Sequence, residues 1–184
     1  STGGSISCPA AFCNVVGLTP TYGLVSRYGL IDYANSLDKI GVITRRVEDA
    51  ALGLSLIAGH DAHDSTSLQV SEKSYKAEPD LKGVKIAVPK EYFQHIDKQV
   101  EKNVRDAIKK MESNGATVSE VSLPSTKYAL ASYYIIATSE ASTNLSRYCG
   151  MRYGLHGKLK GGFNEYFTTV RTEGFGEEAK RRII

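Results

Sequence analysis

Ser5 follows two glycines in the run Ser1-Thr2-Gly3-Gly4-Ser5-Ile6-Ser7-Cys8-Pro9-Ala10, and that order of residue types suits acyl transfer. Glycine reaches positive φ and lets the backbone come close to a ligand. The amides of Thr2, Gly3 and Gly4 can therefore converge on a carbonyl oxygen while the Ser5 hydroxyl attacks its carbon. The same run also reads as an ordinary Gly-Gly-Ser turn, because short Gly/Ser stretches punctuate loops. Spacing alone leaves both readings open.

The residues beyond the turn favour chemistry. Pro9-Ala10-Ala11-Phe12-Cys13-Asn14-Val15-Val16-Gly17-Leu18-Thr19-Pro20-Thr21-Tyr22-Gly23 and the following residues to Gly29 resemble the second half of the amidase signature. The likeness continues through Ser36-Leu37-Asp38-Lys39-Ile40-Gly41, Arg46-Val47-Glu48-Asp49-Ala50-Ala51, Ile57 to Asp61 and Asp64 to Ser67. It returns at Tyr133 to Ser142 and at Gly176 to Ile183. The chain thus resembles the amidase signature family from end to end, and within it the A subunits of tRNA-dependent amidotransferases.

The resemblance implies a catalytic role for each residue of the turn. Ser5 is the nucleophile and the backbone of Thr2, Gly3 and Gly4 is the oxyanion hole. The base is an upstream lysine acting through a serine on a cis peptide, and both precede Ser1. His60, His63, His95 and His156 are then loop or surface residues rather than triad members. The family usually carries aspartate where Ser1 stands and arginine where Ser7 stands. Losing both partners of an ion pair is gentler than losing one, which fits a compensated change but also a weakened site.

Two further pairs invite a reading. Tyr133 and Tyr134 are either core aromatics or, as the resemblance implies, the source of one hydroxyl in the amide-donor pocket, assigned to Tyr133. Arg181 and Arg182 serve as a salt-bridged helix face with Glu177 and Glu178. The resemblance also implies an arginine here for the α-carboxylate of glutamine, a task for which a guanidinium fork is suited. Adjacent helical residues point about 100° apart, so one arginine faces the pocket, and Arg182 is assigned.

The 184 residues are 41% hydrophobic and 23% charged, ordinary for a globular chain, and a net charge of +3 is too slight to argue for direct tRNA binding. Cys8, Cys13 and Cys149 are odd in number and lack metal-ligand spacing, so reduced thiols, no metal and a cytoplasmic setting are expected. Cys8, before Pro9, reads as a small buried residue. No stretch reaches the roughly 18 apolar residues of a membrane span. The chain opens inside a catalytic loop and stops in a helix-like run, so residues 1–184 are expected to be the central part of a single amidase-signature domain.

Patterning predicts an α/β fold, a mixed β-sheet core flanked by α-helices. A helix over 47–58 has Thr44 as N-cap and Gly59 as its stop. Residues 60 to 80 are loop. A strand at 84–88, a helix capped by Asp97 and stopped by Gly115, and a strand over 116–123 make a crossover unit. A long helix spans 126–148, and the glycines at 150, 154, 157 and 161 form a mobile loop.

By resemblance, the chain hydrolyses glutamine through an acyl-enzyme and passes ammonia to a B subunit. That partner uses ATP and magnesium to amidate glutamyl- or aspartyl-tRNA, and a small C subunit wraps the pair. No cofactor is expected in this chain. The alternatives are a stand-alone amidase on another carboxamide and a non-catalytic scaffold.

Overall fold

The structure is a computed structural model that describes residues 1–70, 74–77, 80–158 and 161–184. It divides into two compact units, one formed by Ser1–Tyr75 with Ser132–Ile184 and the other by Lys76–Ala131.

In the first unit the chain enters helix α1 (Ser7–Phe12) straight from the Gly-Gly-Ser turn. Pro9 is tolerated there because the first-turn N–H groups have no helical acceptor. The helix ends in a Schellman closure: Val15 N–H reaches Ala10 O at 2.9 Å and Asn14 N–H reaches Ala11 O at 3.2 Å. Asn14 takes the left-handed position at φ 53°, which asparagine tolerates. The chain then forms β1 (Val16–Leu18), which pairs antiparallel with β2 (Val42–Thr44).

Helix α2 (Val47–Ile57) follows. Its N-cap is Arg46 rather than Thr44. Thr44 lies in β2 and its hydroxyl donates to the Arg46 carbonyl at 2.8 Å. Gly59 stands just past the C-cap Ala58, as expected. Leu54 and Ala58 of this segment meet Leu24 and Val25 in a buried cluster, with Leu18, Ile40, Val70 and Tyr75 packed around it. Burial of one leucine there contributes roughly 2 kcal/mol. The described residues between 60 and 80 form no helix or strand; 71–73 and 78–79 lie outside the described residues.

The second unit is the expected crossover. Strand β3 (Lys85–Pro89) runs through a short 3₁₀ turn into helix α3 (Lys98–Ser113) and then into β4 (Thr117–Val121), which pairs parallel with β3. Asp97 caps α3 by accepting from Gln99 N–H at 2.8 Å and Val100 N–H at 3.2 Å. Glu101–Arg105 and Lys102–Asp106 form i,i+4 pairs at 2.7 and 2.6 Å. Glu91 accepts from Leu123 N–H and the Ser122 hydroxyl, and these two donors hold its carboxyl below the usual range.

A second 3₁₀ turn (Pro124–Tyr128) leads into α4 (Ala129–Leu145), shorter at both ends than the predicted helix. The first unit takes up the chain again at Ser132 and closes with α5 (Phe163–Gly174) and α6 (Glu177–Ile183). Helix α5 was not expected, because the glycines around it read as loop. The predicted loop at 150–161 carries no helix or strand in its described part, and residues 159–160 lie outside it. Among the described residues, the sheets are one antiparallel and one parallel pair, set among helices. The α/β expectation holds, with both strand senses present.

Candidate active site

The turn that carries Ser5 is fixed by two glycines with different tasks. Gly4 adopts φ +133°, a conformation L side chains rarely reach. Gly3 is needed for space: a Cβ built on it would lie 2.5 Å from Cζ of Tyr133 and 2.7 Å from the phenol oxygen. Tyr133, on α4, thus lies directly against the loop. Downstream, Gly4 O accepts the Cys8 N–H at 2.8 Å and the Ser7 hydroxyl at 3.3 Å, which ties the turn to the first turn of α1.

Upstream, the loop is anchored to residues some way along the chain. Lys39 N–H donates to Ser1 O at 2.9 Å. The Thr2 hydroxyl donates to Oδ1 of Asp38 at 2.5 Å. Among the described residues, no acceptor takes the N–H groups of Thr2, Gly3, Gly4 or Ser5, and none hydrogen-bonds the exposed Ser5 hydroxyl. A loop whose amides are unclaimed has donors to offer a ligand.

Ser5 opens onto a cavity of about 550 Å³ that is lined by Thr2, Ser5, Tyr33, Tyr133, Leu145, Glu178, Ala179 and Arg182. Of the two adjacent arginines, Arg182 lines this cavity and Arg181 does not. The Arg181 side chain is 75% exposed, against 36% for Arg182. Both pair with Glu178, Arg181 at 2.9 Å and Arg182 at 2.7 Å, and these bonds lower the Glu178 carboxyl.

The inventory of the Arg182 fork is informative. Nε and Nη2 reach Glu178, and Nη1 reaches the Tyr33 hydroxyl at 3.1 Å. Those two partners raise the arginine's already high pKa, Tyr33 first. Five N–H donors less these three leave one on each terminal nitrogen without a partner among the described residues. That pair is the end-on arrangement that grips a carboxylate. Tyr133 and Tyr134 stack edge-on at 5.3 Å. Tyr133 is the half-buried member that lines the cavity, and burial pushes its hydroxyl upward, with Tyr33 adding to the shift.

The rest of the predicted chemistry lies elsewhere. His60, His63, His95 and His156 are all exposed, and none lines the cavity. Cys8 is exposed, contrary to the buried reading, because α1 turns Ile6 and Ala10 inward instead. Among the described residues no cluster of three His, Cys, Asp or Glu side chains could hold a metal ion, and no helix is long and apolar enough to cross a membrane.

Sequence reasoning missed the loop behind the site. Asp38 is 3% exposed and also accepts from the N–H groups of Tyr33 and Ala34. Helix α4 clamps the same loop. Asn144 Nδ2 donates to Tyr33 O at 3.0 Å, Glu140 accepts from Ser36 N–H at 2.9 Å, and Arg147, just past the helix end, pairs with Asp32 at 2.8 Å. The available signal was an aspartate flanked by Leu37 and Ile40 with no helix to cap.

Fold and residue pattern together define an amidase-signature α/β protein. Residues 1–184 match the Amidase family over their whole length, and the chain belongs to that family. Among its relatives, the A subunit of glutamyl-tRNA(Gln) amidotransferase from Exiguobacterium sibiricum is 58% identical over 186 residues, and that from Ligilactobacillus salivarius is 55% identical. Each match covers all of this chain and 38% of the relative, so the chain spans well under half of their length. Among solved structures, the A subunit of glutamyl-tRNA(Gln) amidotransferase from Thermotoga maritima aligns with TM-score 0.74 and 36% identity over 99% of this chain and 41% of that one. Peptide amidase from Stenotrophomonas maltophilia aligns with TM-score 0.71 and 29% identity over the whole of this chain and 39% of that one.

Proposed function

We propose that this chain is the central part of the amidase domain of a glutamine-hydrolysing amidotransferase A subunit. One cavity gathers Ser5, the unclaimed amides of its loop, Tyr133 and a guanidinium with two free end-on donors, and that grouping carries the reading.

In this account Arg182 grips the α-carboxylate of glutamine and the Tyr133 hydroxyl lies beside the carboxamide. Ser5 Oγ attacks the carboxamide carbon, and the oxyanion is held by the backbone N–H groups of the Thr2–Gly4 loop. The C–N bond breaks, ammonia leaves with the serine proton, and the γ-glutamyl ester on Ser5 is hydrolysed to glutamate. The cavity lining includes no lysine or histidine, and Glu178 is occupied by two arginines. The proton relay therefore belongs to residues upstream of Ser1, a lysine and a cis-peptide serine by family resemblance, and these 184 residues alone are inactive.

The released ammonia goes to a B subunit, where ATP and magnesium serve amidation of glutamyl- or aspartyl-tRNA, with a C subunit completing a cytoplasmic heterotrimer. The relatives' shared name supports this assembly. Arg182 argues against a stand-alone amidase, since a peptide carboxamide brings no free α-carboxylate to that position.

The test is Ser5→Ala in the complete protein with its partner subunits. Glutamine hydrolysis is expected to fall by at least about 10⁴-fold, while tRNA amidation driven by added ammonium persists. Loss of both activities in an intact complex would contradict the division of labour.

A further inference from the structure

Two functional ends meet behind the cavity wall. Oδ1 of Asp38 accepts the Thr2 hydroxyl at 2.5 Å, and Oδ2 accepts the N–H groups of Tyr33 at 2.7 Å and Ala34 at 2.9 Å. Tyr33 passes the constraint on, since its hydroxyl accepts from Nη1 of Arg182 at 3.1 Å and the guanidinium lies 5.8 Å from its ring centre. Its carbonyl is pinned by Asn144 at 3.0 Å. Asp38 is buried, does not line the cavity, and has no cationic partner among the described residues. A buried carboxylate without a cation is costly unless donors saturate it, and here three donors from two separate stretches of chain do so.

The geometry points to Asp38 as a positioning residue that holds the oxyanion-side loop and the carboxylate-side guanidinium in one register. This rests on the reading of the site given above. One arm runs from Oδ1 through Thr2 to the Gly3 and Gly4 amides beside Ser5. The other runs from Oδ2 through the Tyr33 backbone to the Tyr33 hydroxyl and Arg182. The first arm governs the chemical step, because a displacement of about 1 Å in the attacking group costs up to about 100-fold in rate. The second governs glutamine affinity, because it sets the direction of the fork.

Asparagine can replace the carboxylate without moving either arm. Its oxygen accepts the two backbone N–H groups, and its NH₂ donates to a Thr2 oxygen that then acts as acceptor. Alanine leaves two N–H groups and a hydroxyl without their acceptor.

The experiment is a kinetic double-mutant cycle in the complete protein with its partners, with glutamine as substrate and the ammonium-driven reaction as the assembly control. Thr2→Val is expected to lower kcat about tenfold with KM unchanged, and Tyr33→Phe to raise KM about tenfold with kcat unchanged. Asp38→Ala is expected to do both, and Asp38→Asn to restore each parameter to within a few fold. Adding Thr2→Val to Asp38→Ala will not lower kcat further, and adding Tyr33→Phe will not raise KM further.

A melting-temperature loss in Asp38→Ala with normal kinetics, or effects that simply add in the double variants, would overturn the inference. If Asp38→Ala does not fold, Thr2→Val and Tyr33→Phe still decide it, since unchanged kinetics in both remove the two arms. Retention of glutamine hydrolysis by Ser5→Ala would overturn the functional reading and this inference with it. Loss with Ser5→Ala but normal Thr2→Val and Tyr33→Phe would overturn the inference alone.

Discussion

Helix α3 and the Ser5 loop are held by opposite means. Helix α3 is secured by its own neighbours in sequence: Asp97 caps it from two and three residues away, and its ion pairs span four. The Ser5 loop is secured by Asp38 and Lys39 and is overlain by Tyr133, none of which is near it in sequence. Local order is written where it acts and tolerates change piecemeal, whereas the site depends on contacts between distant segments. Damage to one of those segments therefore propagates through the cavity while damage to α3 stays in α3.

That contrast can be broken by substitution. The largest effect is expected at Gly3→Ala, where the new Cβ meets the Tyr133 ring. The ring must move, and the loop with it, so glutamine hydrolysis in the complete protein is expected to drop about 100-fold with little change in melting temperature. Tyr133→Ala in the same protein will relieve the collision but not restore the hydroxyl, so the double variant stays poor. Normal activity in Gly3→Ala would show that the loop is not confined by Tyr133.

A smaller effect is expected at Arg182→Ala. A buried, hydrogen-bonded guanidinium contact to a carboxylate is worth about 2 to 4 kcal/mol, so the glutamine KM is expected to rise roughly 30-fold or more. Arg181→Ala, at a side chain that lies 75% exposed, is expected to change KM by less than about twofold. Arg182→Lys keeps the charge and loses the fork, so it will retain only part of the affinity. Equal small effects from the two alanine variants would make the pair a solvated helix face.

The smallest effect belongs to the locally built element. Asp97→Ala removes the N-cap and is expected to cost about 1 kcal/mol of stability, read as a lowered denaturation midpoint, with glutamine kinetics unchanged. A kinetic defect there would contradict the confinement of local damage.

The same division explains what was legible in the sequence. Helix α3, with Asp97 before it and Gly115 after it, strands β3 and β4, and the body of α2 all announce themselves by periodicity and end signals. Helix α1 did not, because it has six residues with a proline among them. Strands β1 and β2 are three residues each and find each other across a long separation, which no local pattern records. Helix α5 left a trace: Phe163, Tyr166, Phe167 and Val170 recur at helical spacing, but the surrounding glycines masked it.

Ser5 and its glycines stood out through residue type, and the choice between turn and active loop came from family resemblance. Asp38 and Tyr33 stayed hidden because their importance lies in partners at Thr2 and Arg182, which only the folded chain brings within reach.

The most direct test of the central claim is to catch the acyl-enzyme. The complete protein with its partners would be mixed with glutamine, quenched in acid during turnover, and digested for peptide mass mapping. The account predicts a γ-glutamyl ester on the peptide that contains the Gly3-Gly4-Ser5 turn, located at Ser5 and absent in Ser5→Ala. A stable adduct on Cys8 instead, or steady turnover in the Ser5→Ala protein with no ester at Ser5, would contradict it.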